Sequence, residues 1–201
     1  MKILLDNGHG ENTTGKRSPD GVLREYRYTR DITQGIEREL RTRGYDVERI
    51  VKEATDVPLR ERVRRVNEWC KELGSSRVLL VSVHCNASGD GSEWMRARGW
   101  SAYTCNGKTK SDKLAESLYA AAERNFCGPG ITIRKDMQDG DPDWEEDFYI
   151  LKNTKCAAVL TENFFMDNED DVALLLSREG REAVVMTHVE GIVDYINSLC
   201  V

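Results

Sequence analysis

Short runs of apolar residues alternate along the chain with longer stretches in which apolar residues recur every three or four positions. KILLD (2–6), YDVERI (45–50), VLLVSV (78–83), WSAYTC (100–105), YIL (149–151) and CAAVLT (156–161) have the length and bulk of strands. VLLVSV and CAAVLT are so nearly free of polar residues that they predict strands covered on both faces. Between them, 22–43 carries Tyr28, Ile32, Ile36 and Leu40 in a helical stripe that stops at Gly44. The segment 57–73 repeats that pattern with Leu59, Val63, Val66, Cys70 and Leu73, and 109–125 and 178–199 read as further helices. This alternation predicts an α/β fold: an open, mostly parallel, twisted sheet of about six strands with helices on both faces.

Composition adds limits to that picture. The chain of 201 residues is 39% hydrophobic, contains no internal repeat or low-complexity tract, and suits one domain over 1–201. A net charge of −6 supplies no basic field for nucleic acid or an anionic membrane, so a neutral or zwitterionic substrate is expected. Only three aliphatic residues precede Asp6, whereas a secretory core needs roughly 7–15 and a membrane span about 20, so no signal peptide and no span are expected. The cysteines at 70, 85, 105, 127, 156 and 200 form no CxxC pair and read as small core hydrophobes, with a disulfide left open by their even count.

Ligands on sheets of this kind sit beyond the carboxyl ends of the strands. KILLD is followed by His9, VLLVSV by His84 and CAAVLT by Glu162. One such residue is ordinarily a satisfied hydrogen-bonding group; three at one edge point to a site. The glycines on either side of His9 allow close approach of backbone and ligand. Helical phase adds a fourth member. Glu25 shares the face of Tyr28, Ile32 and Ile36 at the first turn, facing the sheet, where a buried carboxylate needs a partner. Two neutral imidazoles and one carboxylate with an open fourth position form the ligand set of a catalytic zinc site, at which the pKa of bound water falls towards about 7. Glu162 is then placed to carry the proton from that water to a leaving amine, and the chemistry so assembled is metal-assisted amide hydrolysis.

DNGHG (6–10), GVLREY (21–26), SVHCNAS (82–88) and AAVLTENFFMDN (157–168) resemble, in that order, the signature blocks of the zinc-dependent N-acetylmuramoyl-L-alanine amidases, the amidase-3 family of cell-wall hydrolases. The resemblance covers essentially the whole chain, including LRERVRRVN (59–67) and FYILKNT (148–154). It implies zinc on His9, Glu25 and His84, with Glu162 catalytic. It also implies cleavage of the bond between N-acetylmuramic acid and L-alanine in peptidoglycan, by a monomer acting on the wall after loss of a signal or lytic release. A catalytic domain over 1–201, with no separate wall-binding domain, is expected. Asn7 stands where the first block usually has proline, and Glu11 where a further glycine is common; both bear on loop shape and substrate preference rather than on the ligands. A catalytically silent wall-binding relative would show a damaged site, and here all four positions are intact.

Other features receive plainer readings. GENTTGKR (10–17) matches a phosphate-binding P-loop, but Arg17 stands where a serine or threonine must hold magnesium. His188 lies beside the stripe Val185, Val189, Ile192, Ile196 and is expected to pack or hydrogen-bond there. Arg60, Arg62, Arg64 and Arg65, interleaved with Glu61, Glu68 and Glu72, suggest a solvated face of ion pairs. Cys85 is expected to point away from His84. DGDPDWEED (139–147) lacks the glycine and glutamate of a calcium loop and reads as an exposed acidic loop. Just before it, Arg134 and Lys135 are candidates for binding stem-peptide carboxylates.

Overall fold

The structure is a computed structural model, and it describes residues 1–199, so Cys200 lies outside the described residues. Six strands form one sheet among those residues: β1 (Lys2–Asn7), β2 (Asp46–Arg49), β3 (Val78–Asn86), β4 (Ser101–Thr104), β5 (Trp144–Glu145) and β6 (Ala157–Phe165). Their order is β2-β1-β3-β6-β4-β5, parallel throughout except where β4 runs antiparallel to β6. The helices are α1 (Glu25–Thr42), α2 (Leu59–Leu73), α3 (Ser111–Asn125), α4 (Tyr149–Asn153), α5 (Glu169–Leu176) and α6 (Arg178–Ser198).

Side chains alternate across the sheet and divide the core in two. Ile3, Leu5, Leu79, Val81, Val83 and Val159 pack with the buried stripes of α1, α3 and α6. Leu4, Val78, Leu80, Ala158 and Leu160 face the other way, onto Val63, Val66 and Cys70 of α2 and Ile150 and Leu151 of α4. Because the central strands β1, β3 and β6 are buried on both faces, their register is strongly specified. A one-residue slip between β3 and β6 would exchange the two cores and undo the pairing of His84 with Glu162.

Two predicted elements are corrected. YIL (149–151) is not a strand but the start of α4: three apolar residues carry no period, and Lys152 N donates to Phe148 O at 2.9 Å in a helical turn that buries Ile150 and Leu151. The outer strand is instead β5, inside the acidic segment, paired through Tyr103 and Trp144. That segment is exposed for the most part, but Asp143 is buried, accepting from Thr104 Oγ1 at 2.6 Å. Burial, with the neighbouring Asp141 carboxyl, pushes Asp143 up to about 7 against that hydrogen bond. Helix α5 was not anticipated; Asn168 caps it by accepting from Asp171 N at 3.1 Å. Helix α1 starts at Glu25 rather than 22, because Ser18 and Asp20 hold residues 18–23 in a turn.

Candidate metal centre

The first strand ends at Asn7, and the chain turns through Gly8, His9 and Gly10, with His9 at φ +58°. Both glycines are required by space. A Cβ on Gly8 would lie 2.5 Å from His84 Nδ1, and one on Gly10 only 1.9 Å from Asp56 N. His9 adopts a backbone conformation unfavourable to a side-chain-bearing residue, and its neighbours over-determine it. Gly8 N donates to Val83 O (3.0 Å), Thr29 Oγ1 to Gly8 O (3.1 Å), Arg30 to His9 O (3.0 Å) and Arg62 to Asn7 O (2.6 Å).

Arg62 departs from expectation. Arg64 and Arg65 do form a ladder of pairs with Glu61, Glu68 and Glu53, but Arg62 is 2% exposed. It binds Asp6 at 2.7 Å and Asp56 at 2.8 Å, and Ser82 Oγ donates to the other oxygen of Asp6 at 2.6 Å. The signal was available: Arg62 lies four residues before Val66, on the buried stripe of α2, as Glu25 lies on that of α1.

His84, near the end of β3, pairs across to Glu162 on β6, so both project beside each other at the carboxyl edge of the sheet. Glu25 arrives from α1, on the opposite face. Its Oε1 accepts from Cys85 N at 3.0 Å and lies 3.1 Å from His84 Nδ1, and its Oε2 lies 3.4 Å from His9 Nε2. The two imidazole rings stand edge to face with centroids 5.2 Å apart. His9, Glu25 and His84 each offer a ligand atom within 4.8 Å of the others. Of the predicted quartet, then, three offer atoms close enough together to hold a metal ion, and Glu162 pairs in register with His84 beside them.

Burial lowers His9 to about 4, against the pull of Glu25, which leaves its ring neutral near pH 7. Burial also acts on Glu25 and His84, but their mutual hydrogen bond and charge prevail, holding Glu25 below and His84 above the ordinary value. Burial pushes Glu162 up to about 7; the charge of His84 opposes this and that of Glu25 adds to it. Oε2 of Glu25 and Oε2 of Glu162 are both buried with no hydrogen-bond partner. A buried carboxylate oxygen left so is costly, and for Glu25 a cation shared with two imidazoles removes the cost. The residues present therefore fit a metal ion.

The centre opens into a cleft of about 330 Å³, where His9, His84 and Glu162 face an apolar wall of Leu59, Phe148, Tyr149 and Leu160. Arg134 and Lys135 do not line it. The Arg134 guanidinium stacks against Trp144 and Phe165, each 5.1 Å away, and Lys135 pairs with Glu123. Cys85 is buried in the core of the α1 face, turned from the cleft. His188 is wholly buried, its ring bonded to Thr161 Oγ1 (2.8 Å) and Val184 O (2.7 Å). The 10–17 stretch opens no helix, the next being α1 at Glu25, so the P-loop reading fails on geometry.

Three side chains able to hold a metal ion and an adjacent carboxylate, at the carboxyl edge of a mostly parallel sheet covered on both faces, define the chain as an α/β protein with a candidate metal site. Comparison makes this specific: the amidase-3 family, N-acetylmuramoyl-L-alanine amidase, matches residues 3–194, and the chain belongs to that family. It is 31% identical over 202 residues to the endolysin of Bacillus phage SPP1, covering 97% of this chain and 66% of that protein. To N-acetylmuramoyl-L-alanine amidase CwlM of Bacillus licheniformis it is 26% identical over 200 residues, covering 98% of this chain and 69% of that protein. The chain thus spans about two thirds of the length of these curated relatives. In fold it is similar to the catalytic domain of CwlV, an N-acetylmuramoyl-L-alanine amidase from Bacillus (Paenibacillus) polymyxa var. colistinus, with a TM-score of 0.78 and 22% identity over 98% of this chain and 99% of that one. No helix among the described residues is long and apolar enough to cross a membrane.

Proposed function

We propose that this chain is the catalytic domain of a zinc-dependent amidase that hydrolyses the bond between N-acetylmuramic acid and L-alanine in peptidoglycan. His9, Glu25 and His84 hold the zinc, and Glu162 carries the proton. The observation that supports this best is the buried Glu25 carboxylate, with one oxygen unpartnered, set between two imidazoles while a second carboxylate stands in register with His84.

Zinc bound there would lower the pKa of water towards about 7 and polarise the scissile carbonyl. The chain's own residues do the rest. His9 presents a neutral ring because burial keeps it unprotonated. Cys85 N fixes one oxygen of Glu25 and leaves the other free. Glu162, with an affinity for protons near neutrality, accepts one from the attacking water and passes it to the amine of L-alanine as the bond breaks. The apolar wall of Leu59, Phe148 and Leu160 limits water in the cleft and so strengthens these charges. The substrate places the site of action at the cell wall, periplasmic or extracellular.

The test combines elemental analysis with release of free L-alanine amino termini from purified walls, for wild type, His84→Ala and Glu25→Gln. Wild type should carry one zinc per chain and release the termini, and both variants should lose zinc and activity. Equal zinc in wild type and His84→Ala would sink the ligand assignment.

A further inference from the structure

We propose that a second cleft, between the 13–17 loop and the turn at 90–92, binds a free carboxylate of the stem peptide and makes the enzyme select for it over a carboxamide. The inference rests on the amidase reading above, and it gives a role to the GENTTGKR stretch that a phosphate-binding loop does not fill.

The cleft has a volume of about 440 Å³ and is lined by Lys16, Arg17 and Arg24 together with Thr13, Tyr26 and Ser92. Its walls are fixed against each other. Gly91, at φ +83°, comes so close that a Cβ would stand 3.1 Å from Arg17 O and 3.2 Å from Gly15 O. Arg17 and Arg24 are joined by an antiparallel backbone bridge, which places both on one wall. Elsewhere, Arg62, Arg64, Arg65 and Arg124 are each committed to two carboxylates. Lys16, Arg17 and Arg24 form no ion pair with any described residue. Glu11 and Asp90 also line the cleft, but Asp90 is turned back to accept from Ser92 N at 2.9 Å, and the cations outnumber the acids.

This cleft shares no lining residue with that of the candidate metal centre, but the backbone joins the two. Lys16 O accepts from the backbone N of Glu25 at 3.0 Å, so the loop is tied to the residue proposed as a ligand. The Lys16 charge is felt at both His9 and Glu162. An extended peptide advances about 3.3–3.6 Å per residue, so a carboxylate one or two residues past the scissile amide falls within reach of cations beside the centre. Arg offers a forked donor set that matches a carboxylate, and a carboxamide, being neutral, forfeits the charge. Since Arg17 and Arg24 are exposed and Lys16 is only half-buried, the effect is moderate and sensitive to salt.

The experiment compares two soluble muramyl peptides that differ in one group: the residue after L-alanine carries a free carboxylate in one and a carboxamide in the other. The quantity read is the ratio of their KM values, in wild type, Lys16→Gln/Arg17→Gln and Arg24→Gln, at low and high salt. In wild type the carboxylate form should have a KM lower by about threefold to tenfold, with the ratio shrinking in salt. In both variants the ratio should collapse towards about one. Because wild type alone carries the first comparison, poor folding of a variant cannot rescue the idea. Cleavage of both substrates with equal KM by wild type, or a ratio untouched by the substitutions, would overturn the second cleft and leave the amidase reading standing. Failure of wild type to cleave either peptide would overturn both.

Discussion

Replacing Glu162 with glutamine should separate its role in chemistry from its cost to the fold. The folded carboxyl takes up a proton at about 7, against an ordinary value of 4.5, chiefly because it is buried. At about 1.36 kcal/mol per pH unit this shift favours the protonated folded form by roughly 3 kcal/mol. The sign follows from linkage. Below the ordinary value both states are protonated and nothing is lost. As pH rises from there to the folded value, only the unfolded chain ionises, and stability falls. Above it the loss levels off. Glutamine cannot ionise, so chelator-treated Glu162→Gln should gain on equally treated wild type by roughly 2.5 kcal/mol between pH 5 and pH 8, or about 5–10 °C in midpoint for a chain of this size. Chemical denaturation at the two pH values reads the difference directly, and the constant offset from the amide itself cancels. Loaded with zinc, the same variant should keep its metal and lose activity by on the order of 100-fold or more. A stability difference that stayed level with pH would refute the buried, uncompensated carboxyl. Near-normal hydrolysis would refute the proton carrier, and loss of zinc would make Glu162 a ligand.

Three further outcomes follow from the supports of the site. Gly8→Ala puts a methyl 2.5 Å from His84 Nδ1, so the ring must move, and zinc affinity measured by chelator competition should weaken by about 10- to 100-fold; an unchanged affinity would remove His84 from the ligand set. Arg62→Met leaves Asp6 buried with only Ser82 as a side-chain partner and should cost about 3–5 kcal/mol in urea unfolding, with a change under about 1 kcal/mol speaking against the buried pair. Arg134→Ala with Lys135→Ala should leave the hydrolysis rate unaltered, because the guanidinium is stacked between Trp144 and Phe165 and the ammonium is held by Glu123; a marked fall in rate would restore these residues as a substrate contact.

The strand-end rule and helical phase together reached His9, Glu25, His84 and Glu162 because each lies where period and chain direction fix a position. Pairing is another matter. That Glu162 stands beside His84 depends on the register of β3 with β6, which no local pattern encodes and which the two-sided burial of both strands enforces. The second cleft depends likewise on a turn at 90–92 meeting a loop distant in sequence. Arg62 is misread as part of a solvated face for a different reason: its neighbours Arg60, Arg64 and Arg65 are exposed or half-exposed, and charge pattern outweighs phase where phase is the better guide. The YIL segment failed because a three-residue apolar run is shorter than either period that could classify it.

The DNGHG turn shows how tightly the local sequence is bound to the proposed chemistry. A histidine past the end of a central strand can meet one from the next strand only if the intervening residue has no side chain, and Gly8 meets that condition against the His84 ring. Gly10 lets the 55–56 backbone close over the turn, which brings Asp56 to Arg62 and so ties Arg62 to the carbonyls of Asn7 and His9. The strained φ of His9 is thereby stabilised by groups on α1, α2 and the loop before α2, none of them ligands. Metal affinity should therefore respond to substitutions throughout this ring of supports, and the side chains that grip the turn matter to the centre as the imidazoles do, by holding its geometry rather than by supplying its electrons.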